Sequence, residues 1–155
     1  MLFRSRRLLG ILREDGRDGE RAPAPSIADL DELIGRIRQA GTTVDLDVRG
    51  LPRELPGVVE LSAYRIVQEA LTNVVKHAST DRCRISLAYA PDKLGIEVTD
   101  DGIGAQSATQ RVGHGLIGMR ERTMLHGGRF EAGPLPLRGY RVAASLPLEE
   151  AGVGT

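Results

Sequence analysis

The sequence predicts an α+β fold, a two-layer α/β sandwich in which a mixed, mostly antiparallel sheet is covered on one face by about three helices. Two observations lead to this prediction. The spacing of the apolar residues changes between helical and strand periods in the order helix, strand, long helix, hairpin, loop, helix, hairpin. The first three predicted strands are apolar on one side only, which is typical of a sheet with one face on a core. A doubly wound parallel fold would require strict alternation of strands and helices.

The first predicted helix begins after Ser26, a favourable N-cap residue, and stops at Gly41. The second and longest helix runs from about residue 59 to residue 78. The third follows a glycine-rich loop and stops at the Gly-Gly pair 127–128, with His126 expected as a C-terminal cap. Its apolar positions are Leu116, Ile117, Met119 and Leu125.

Five strands are expected from residues that alternate between apolar and polar. The first strand of the sheet precedes the long helix, and two hairpins follow that helix. The predicted strands cover residues 42–48, 83–89, 94–100, 129–132 and 139–146. Cys83 falls on the apolar side of its strand, so we expect a small buried thiol.

The N-terminal part of the chain is expected to be separate from this domain. Residues 1–13 have the pattern of a short basic helix, and their apolar stretch is too short for a signal peptide. Residues 14–25 combine charge, Gly and Pro with no apolar period, which indicates a flexible linker. The domain proper is predicted over residues 26–148, and residues 149–155 are expected to be a disordered tail.

The composition excludes several classes of function. The chain has 155 residues, of which 41% are hydrophobic, so one aliphatic core is expected. Only 3% are aromatic, which is too few for a nucleic-acid-binding surface that stacks bases on aromatic side chains. Lys plus Arg equals Asp plus Glu at 21 each, so no net field favours nucleic acid or an acidic membrane. We therefore expect no nucleic-acid partner and no direct membrane contact. A single cysteine excludes an internal disulfide and a cysteine-based zinc site.

Three polar side chains interrupt the apolar pattern of the long helix at four-residue spacing. Glu69, Asn73 and His77 lie on one stripe that drifts by only about 40° per step. The rest of the helix has the pattern of a core-facing surface. One interpretation is that this stripe is a solvated surface. The alternative is a binding site for Mg²⁺, because Mg²⁺ accepts an Asn oxygen and takes one or two protein ligands together with phosphates and waters.

Asp100 follows the aliphatic positions Leu94, Ile96 and Val98 with the same parity, so its carboxylate should point toward the core. A buried carboxylate needs hydrogen-bond donors. These can be backbone amides of the following turn, in which case Asp100 is a structural cap, or a ligand. An ionised carboxylate would accept a bond from the adenine amine and repel the carbonyl of guanine. Gly102 and Gly104 would let the backbone approach a flat ligand closely.

The glycines of GHGLIG, at positions 113, 115 and 118, spell the dinucleotide fingerprint G-x-G-x-x-G. That fingerprint belongs between a first strand and its helix in a parallel unit, whereas here it follows a polar loop late in the chain. We therefore reject a dinucleotide site. The free amides at the start of the helix after Gly115 still form an anion site that suits phosphate.

These three segments resemble the nucleotide-binding boxes of a known superfamily. EALTNVVKHA, DDGIG and GHGLIGM are similar to the N, G1 and G2 boxes of the proteins that share the Bergerat-type ATP-binding fold: DNA gyrase, a heat-shock chaperone, histidine kinases and MutL. YRIVQEALTNVVKHA and GHGLIGMRER further resemble the sensor histidine kinases that signal to helix-turn-helix response regulators, over about residues 26–148. RRLLGILRED is similar to the end of their dimerisation helix, so residues 1–13 would be its remnant.

The resemblance implies that the domain binds Mg-ATP as a histidine kinase does. Asn73 would hold Mg²⁺, and Glu69, one turn earlier, would orient it or a water, so these two are the implied catalytic residues. Asp100 would bind the adenine amine, and residues 105–114 would form a lid. The nucleotide-binding residues implied in this way are Asn73, Lys76, His77, Asp100, Gly102, Ile103, Gly104, Gly113, His114, Gly115 and Leu116. Thr80 and Asp81 stand where many histidine kinases have a basic residue and an aromatic, so further phosphate contacts from that segment are in doubt.

The implied partners are a His-containing dimerisation domain of the same kinase and a downstream response regulator. The implied location is cytoplasmic, or the cytosolic part of a membrane-bound sensor. This chain has no His before His77, so we do not expect it to phosphorylate itself. Two alternatives share the pocket: a serine kinase of the anti-sigma-factor type, and an ATP-sensing module without phosphoryl transfer.

Overall fold

A computed structural model of the chain describes residues 23–78, 80–102 and 114–148, with only the backbone of His77 and His114. Within these ranges it contains three α-helices and five strands. The predicted segment 1–13, most of the predicted linker and the predicted tail 149–155 lie outside the described residues. So do Ile103, Gly104 and Gly113.

The helices and strands occur in the predicted order. The helices are α1 (Leu30–Gln39), preceded by a 3₁₀ turn (Ile27–Asp29), α2 (Gly57–His77) and α3 (His114–Leu125). The strands are β1 (Thr43–Arg49), β2 (Arg82–Tyr89), β3 (Lys93–Asp100), β4 (Arg129–Pro134) and β5 (Tyr140–Pro147).

The ends of α1 follow from local chemistry. Ser26 precedes the 3₁₀ turn that leads into the helix, and its backbone N–H donates to Asp29 Oδ2 at 2.7 Å. At the other end Gly41 has a φ of 106°, a left-handed conformation that favours glycine. The chain therefore turns there into β1.

The five strands form one sheet in the order β1-β2-β3-β5-β4. β1 and β2 are parallel because the long helix α2 crosses over between them, and the other three pairs are antiparallel. The predicted mixed, mostly antiparallel sheet with helices on one face is confirmed. In the register of this sheet, Asp100 at the end of β3 lies between Cys83 on β2 and Tyr140 on β5.

The core lies between the helices and one face of the sheet. Its side chains are almost all aliphatic, as the composition predicts. Side chains that are essentially inaccessible to solvent include Leu33, Ile37, Ile66, Leu71, Ile85, Leu94 and Leu146. Cys83 belongs to this core, and burial raises the pKa of its thiol to about 12, with smaller contributions from the carboxylates of Asp100, Asp45 and Asp101. Cys83 is therefore the small buried thiol that was expected.

Only some of the apolar residues of α3 face the core. Met119 is buried and Leu116 packs partly against the core, whereas Ile117 and Leu125 are 51% and 86% exposed. The buried position one turn after Met119 is Thr123, whose hydroxyl donates to the Met119 carbonyl oxygen at 2.8 Å. Since this bond satisfies the hydroxyl inside the helix, a threonine can occupy a core position, while Ile117 and Leu125 face solvent.

Replacing Leu94 with Ala tests whether the central strand β3 is packed as described. The Leu94 side chain is fully buried, so we expect the free energy of unfolding to fall by about 2–5 kcal/mol. The matched control is Leu137→Ala, because Leu137 is 99% exposed and its truncation should change stability by less than about 0.5 kcal/mol. Urea unfolding followed by circular dichroism measures both. Equal effects of the two substitutions would contradict the packing.

Candidate functional site

The predicted polar stripe lies on α2, which also closes the core. Ile66, Val67 and Ala70 are buried, while Glu69 is half-buried and Lys76 is exposed on the solvent-facing side. The backbone of His77 ends the helix. The side chain of His77 lies outside the described residues, so its predicted contact with phosphate stays a prediction.

Asn73 is the unusual member of the stripe. Its side chain is only 7% exposed, and its Nδ2 atom is buried without a hydrogen-bond partner among the residues that the structure describes. Leaving such a group unpaired costs about 1–3 kcal/mol. The oxygen and nitrogen of a carboxamide are nearly interchangeable in shape, so the oxygen can take the same place. This amide therefore suits a bound ligand or cation better than a purely structural role.

Asp100 lies at the end of β3 and is 6% exposed, as its parity in the strand predicts. Its Oδ1 atom accepts the backbone N–H of Gly102 at 2.9 Å. The structural interpretation of Asp100 as a cap for the following turn is thus correct. It does not exclude a ligand, because an ionised carboxylate has about four acceptor positions.

The turn after Asp100 is packed against the C-terminal end of α2. A Cβ atom added to Gly102 would lie 1.8 Å from the carbonyl oxygen of Ala78, so no other residue fits without a backbone shift. On the other side Gly139 donates its N–H to the Gly102 carbonyl at 2.9 Å. The turn is therefore clamped between α2 and the start of β5, and this clamp fixes the position of the Asp100 carboxylate relative to the stripe.

Two further side chains hold the outer side of this turn. The Thr80 hydroxyl donates to Asp101 Oδ1 at 2.6 Å, and Arg138 Nε donates to the Asp101 carbonyl at 2.6 Å. Thr80, which departs from the pattern of many histidine kinases, thus links the segment after α2 to the turn. Sequence reasoning missed Arg138, because no local pattern signals a contact between positions 37 residues apart.

The first turn of α3 meets α2 at Glu69. A Cβ atom added to Gly115 would lie 2.4 Å from Glu69 Oε1, so the backbone of α3 approaches this carboxylate directly. The amides at the N-terminus of α3, the predicted anion site, are therefore close to the polar stripe. Leu116 packs partly on the core. The side chain of His114 is outside the described residues, so its predicted phosphate contact is untested.

The other end of the α2–α3 pair is held by a hydrogen bond between Ser62 Oγ and His126 Nε2 at 2.7 Å. The expectation that the His126 side chain caps the carbonyls of α3 is wrong. Backbone groups already meet those carbonyls, since Gly127 N–H donates to Met124 and Gly128 N–H donates to Thr123. The imidazole is therefore free to bridge to α2 instead.

The described residues contain no group of three or more His, Cys, Asp or Glu side chains that could hold a metal ion. A cation at this site would depend on the Asn73 amide and on oxygens of its ligand. Among the helices of the same residues, none is long and apolar enough to cross a membrane. The site thus combines a buried carboxylate, a glycine wall, an unpaired carboxamide and the N-terminus of a helix. This set can bind a flat amine-bearing base at one end and phosphates at the other.

A protein-family model described as histidine kinase-, DNA gyrase B-, and HSP90-like ATPase matches residues 58–150. The chain belongs to this ATPase family. Its nucleotide is therefore ATP, and the matched range contains the whole polar stripe, the Asp100 turn and α3.

Among curated proteins, the chain is 37% identical over 128 residues to the sensor histidine kinase YxjM of Bacillus subtilis, covering 79% of this chain and 31% of that protein. It is 31% identical over 151 residues to the histidine-protein kinase/phosphatase UhpB of Salmonella typhimurium, covering 92% of this chain and 28% of that protein. The chain therefore spans less than a third of the length of these relatives, over a region that both share.

Solved structures show the same fold. The histidine kinase domain of the blue-light activated histidine kinase EL346 from Erythrobacter litoralis aligns with a TM-score of 0.60 at 20% identity, covering 95% of this chain and 74% of that chain. Acinetobacter baumannii histidine kinase AdeS aligns with a TM-score of 0.59 at 15% identity, covering 92% of this chain and 76% of that chain. At such identities the likeness concerns the fold alone, and it agrees with the ATPase family.

Replacing Gly102 with Ala tests the clamp on the Asp100 turn. The new methyl would meet the backbone of Ala78, so we expect the free energy of unfolding to fall by about 1–3 kcal/mol, as in other overpacked sites. The matched control is Gly35→Ala in α1, where nothing lies within 4 Å of the added methyl and helix propensity should add about 0.5–1 kcal/mol. Urea unfolding measures both. A Gly102→Ala protein as stable as the parent would show that the turn does not touch α2.

Proposed function

We propose that this ATPase domain is the catalytic part of a sensor histidine kinase, which binds Mg-ATP and donates its γ-phosphoryl group to a His on a separate dimerisation domain. The names of the curated relatives support the kinase class. One structural observation carries the proposal: the buried, unpaired amide of Asn73 lies on the same helix whose C-terminal end is clamped to the Asp100 turn.

In this proposal Asp100 recognises the base. Its carboxylate is buried and positioned by the Gly102 amide at 2.9 Å. A carboxylate accepts hydrogen bonds and cannot donate them, so it favours the 6-amino group of adenine over the 6-carbonyl group of guanine. Gly102 adds a wall without a side chain, and Ile103 and Gly104 are proposed to continue that wall.

The phosphates are proposed to extend along α2 from the base toward the start of α3. Asn73 would hold Mg²⁺ through its amide oxygen, and Mg²⁺ would neutralise charge on the phosphates. Lys76 and His77 belong to the last turn of α2, between Asn73 and Ala78 in the chain, and are proposed to contact the phosphates. Gly113, His114, Gly115 and Leu116 are proposed to meet the phosphates with backbone amides at the N-terminus of α3, and residues 105–114 would cover them as a lid.

Glu69 is proposed to act at the reacting end of the nucleotide. It lies one turn before Asn73, and its Oε1 atom lies beside the backbone of Gly115. Among the described residues it has no hydrogen-bond or ion-pair partner, so its carboxylate can orient the acceptor imidazole or take its proton. Positioning and charge neutralisation remain the main sources of rate in phosphoryl transfer.

The proposed partners are a His-containing dimerisation domain of the same kinase and a response regulator, in the cytoplasm. Residues 1–13 are proposed to be the end of the dimerisation helix, joined to the ATP-binding domain by a linker. A serine kinase of the anti-sigma-factor type and an ATP-sensing module would use the same pocket. Labelled ATP, offered with a His-containing dimerisation domain and separately with an anti-anti-sigma protein, distinguishes the three functions. A histidine kinase should label only the His-containing domain, a serine kinase only the anti-anti-sigma protein, and an ATP-sensing module neither.

Isothermal calorimetry tests the base recognition. We expect Mg-ATP to bind at least about 100-fold more tightly than Mg-GTP, because the buried carboxylate would face an unpaired carbonyl. Asp100→Asn should weaken Mg-ATP binding by about tenfold or more, since a hydrogen bond to a charged group contributes about 1.5–3 kcal/mol. The control is Asp92→Asn, in the turn between β2 and β3 at the opposite end of the hairpin, which should leave affinity unchanged. Equal binding of ATP and GTP would refute the role of Asp100.

A further inference from the structure

A cleft of about 230 Å³ lies between α2 and α3, next to the proposed reacting end of the nucleotide. α3 contributes two glycines to the lining, and their lack of side chains leaves space between the helices. The residues that line the cleft are Arg65, Gln68, Glu69, Gly115, Gly118, Met119 and Arg122.

The cleft carries an excess of positive charge. Arg65 and Arg122 are both half-buried, and Glu69 is the one carboxylate among the lining residues. Arg65 is held in place, since its NH1 group donates to Gln68 at 2.9 Å and its guanidinium lies 5.9 Å from the centre of the Tyr64 ring. Arg122 makes no hydrogen bond or ion pair with the part of the chain that the structure describes. Two such guanidinium groups favour a carboxylate or another planar anion.

The cleft adjoins the proposed nucleotide site and extends past it along α2. The two share Glu69 and Gly115. Arg65 precedes Asn73 by eight residues, which corresponds to about 12 Å along the helix axis. Glu69 lies between them, about 6 Å from each along the same axis. A segment bound at the Arg65 end of the cleft would therefore lie beside Glu69 and away from Asn73.

The surroundings of the cleft suit a protein segment. Val58, one turn before Ser62, is 67% exposed, and Leu125, next to His126, is 86% exposed. Because Ser62 and His126 are hydrogen-bonded to each other, these apolar side chains are at the same end of the helix pair. At Gly118 nothing lies within 4 Å of an added Cβ atom, so a backbone can approach there. Apolar neighbours would not contribute to the binding of a free inorganic anion.

We propose that this cleft is a docking subsite for a carboxylate-bearing segment of the protein that accepts the phosphoryl group. Arg122 and Arg65 bind the carboxylate, and the apolar side chains at the Ser62 end contact the rest of the segment. The subsite thereby holds the acceptor beside Glu69. This inference rests on the proposed function, because it assigns the approach side of that function's second substrate.

Heteronuclear NMR titration with a blocked hexaglutamate peptide tests the proposal. In the presence of saturating Mg-ADP, we expect saturable shifts of the Gly115 and Gly118 amides and of the Arg122 Nε–H. Arg122→Gln and Arg65→Gln should each raise the dissociation constant at least fivefold. The matched control is Arg84→Gln, which removes the same charge from the exposed side of β2 and should change it less than twofold. Hexaglutamine should cause no shifts.

Three results would overturn the proposal: shifts centred elsewhere on the protein, equal weakening by the Arg84 and Arg122 substitutions, or competition between the peptide and Mg-ADP, which would make the cleft part of the nucleotide site. The proposed function fails in separate measurements, namely calorimetry with Mg-ATP and transfer of label to a His-containing domain. Peptide binding in the cleft without transfer of label would therefore contradict the proposed function while leaving an anion-binding subsite in place.

Discussion

The contact between Gly102 and Ala78 is the constraint on which the arrangement of the site depends. The carbonyl oxygen of Ala78 occupies the space that any Cβ atom at position 102 would need, so the end of β3 and the end of α2 have one relative position. Asp100 then takes its place through its bond to the Gly102 amide. The contact of Gly102 with the end of α2 thereby sets the distance from the Asp100 carboxylate to the polar stripe.

α2 can serve core and site at once because its two sides have different composition. One side buries aliphatic residues in the interior, and the other carries the polar stripe, of which Glu69 lies beside Gly115 of α3. The Ser62–His126 hydrogen bond fixes one end of the helix pair, and the close approach of Gly115 to Glu69 fixes the other. Between these two contacts the helices leave the cationic cleft, so the same packing positions the Glu69 carboxylate and forms the cleft beside it.

The fold and the burial of Asp100 could be predicted because they follow from local periodicity. The regular alternation along β3 orients Asp100 correctly, and four-residue spacing identifies Asn73. The remaining features depend on contacts between distant segments. Arg138 reaches the Asp101 turn from another hairpin, and the His126 imidazole bonds to Ser62 instead of capping its own helix. The buried position of Thr123 in α3 also gives no signal in the apolar pattern, because its hydroxyl is satisfied within the helix.

The central claim is that the amide of Asn73 and the carboxylate of Asp100 face one and the same nucleotide. A crystal structure of the domain with Mg²⁺ and a non-hydrolysable ATP analogue tests this claim most directly. The account predicts the 6-amino group of adenine within hydrogen-bonding distance of an Asp100 oxygen, and Mg²⁺ bound to the Asn73 amide oxygen and to phosphate oxygens. A nucleotide bound with its base away from Asp100, or a magnesium ion without Asn73 among its ligands, would contradict it.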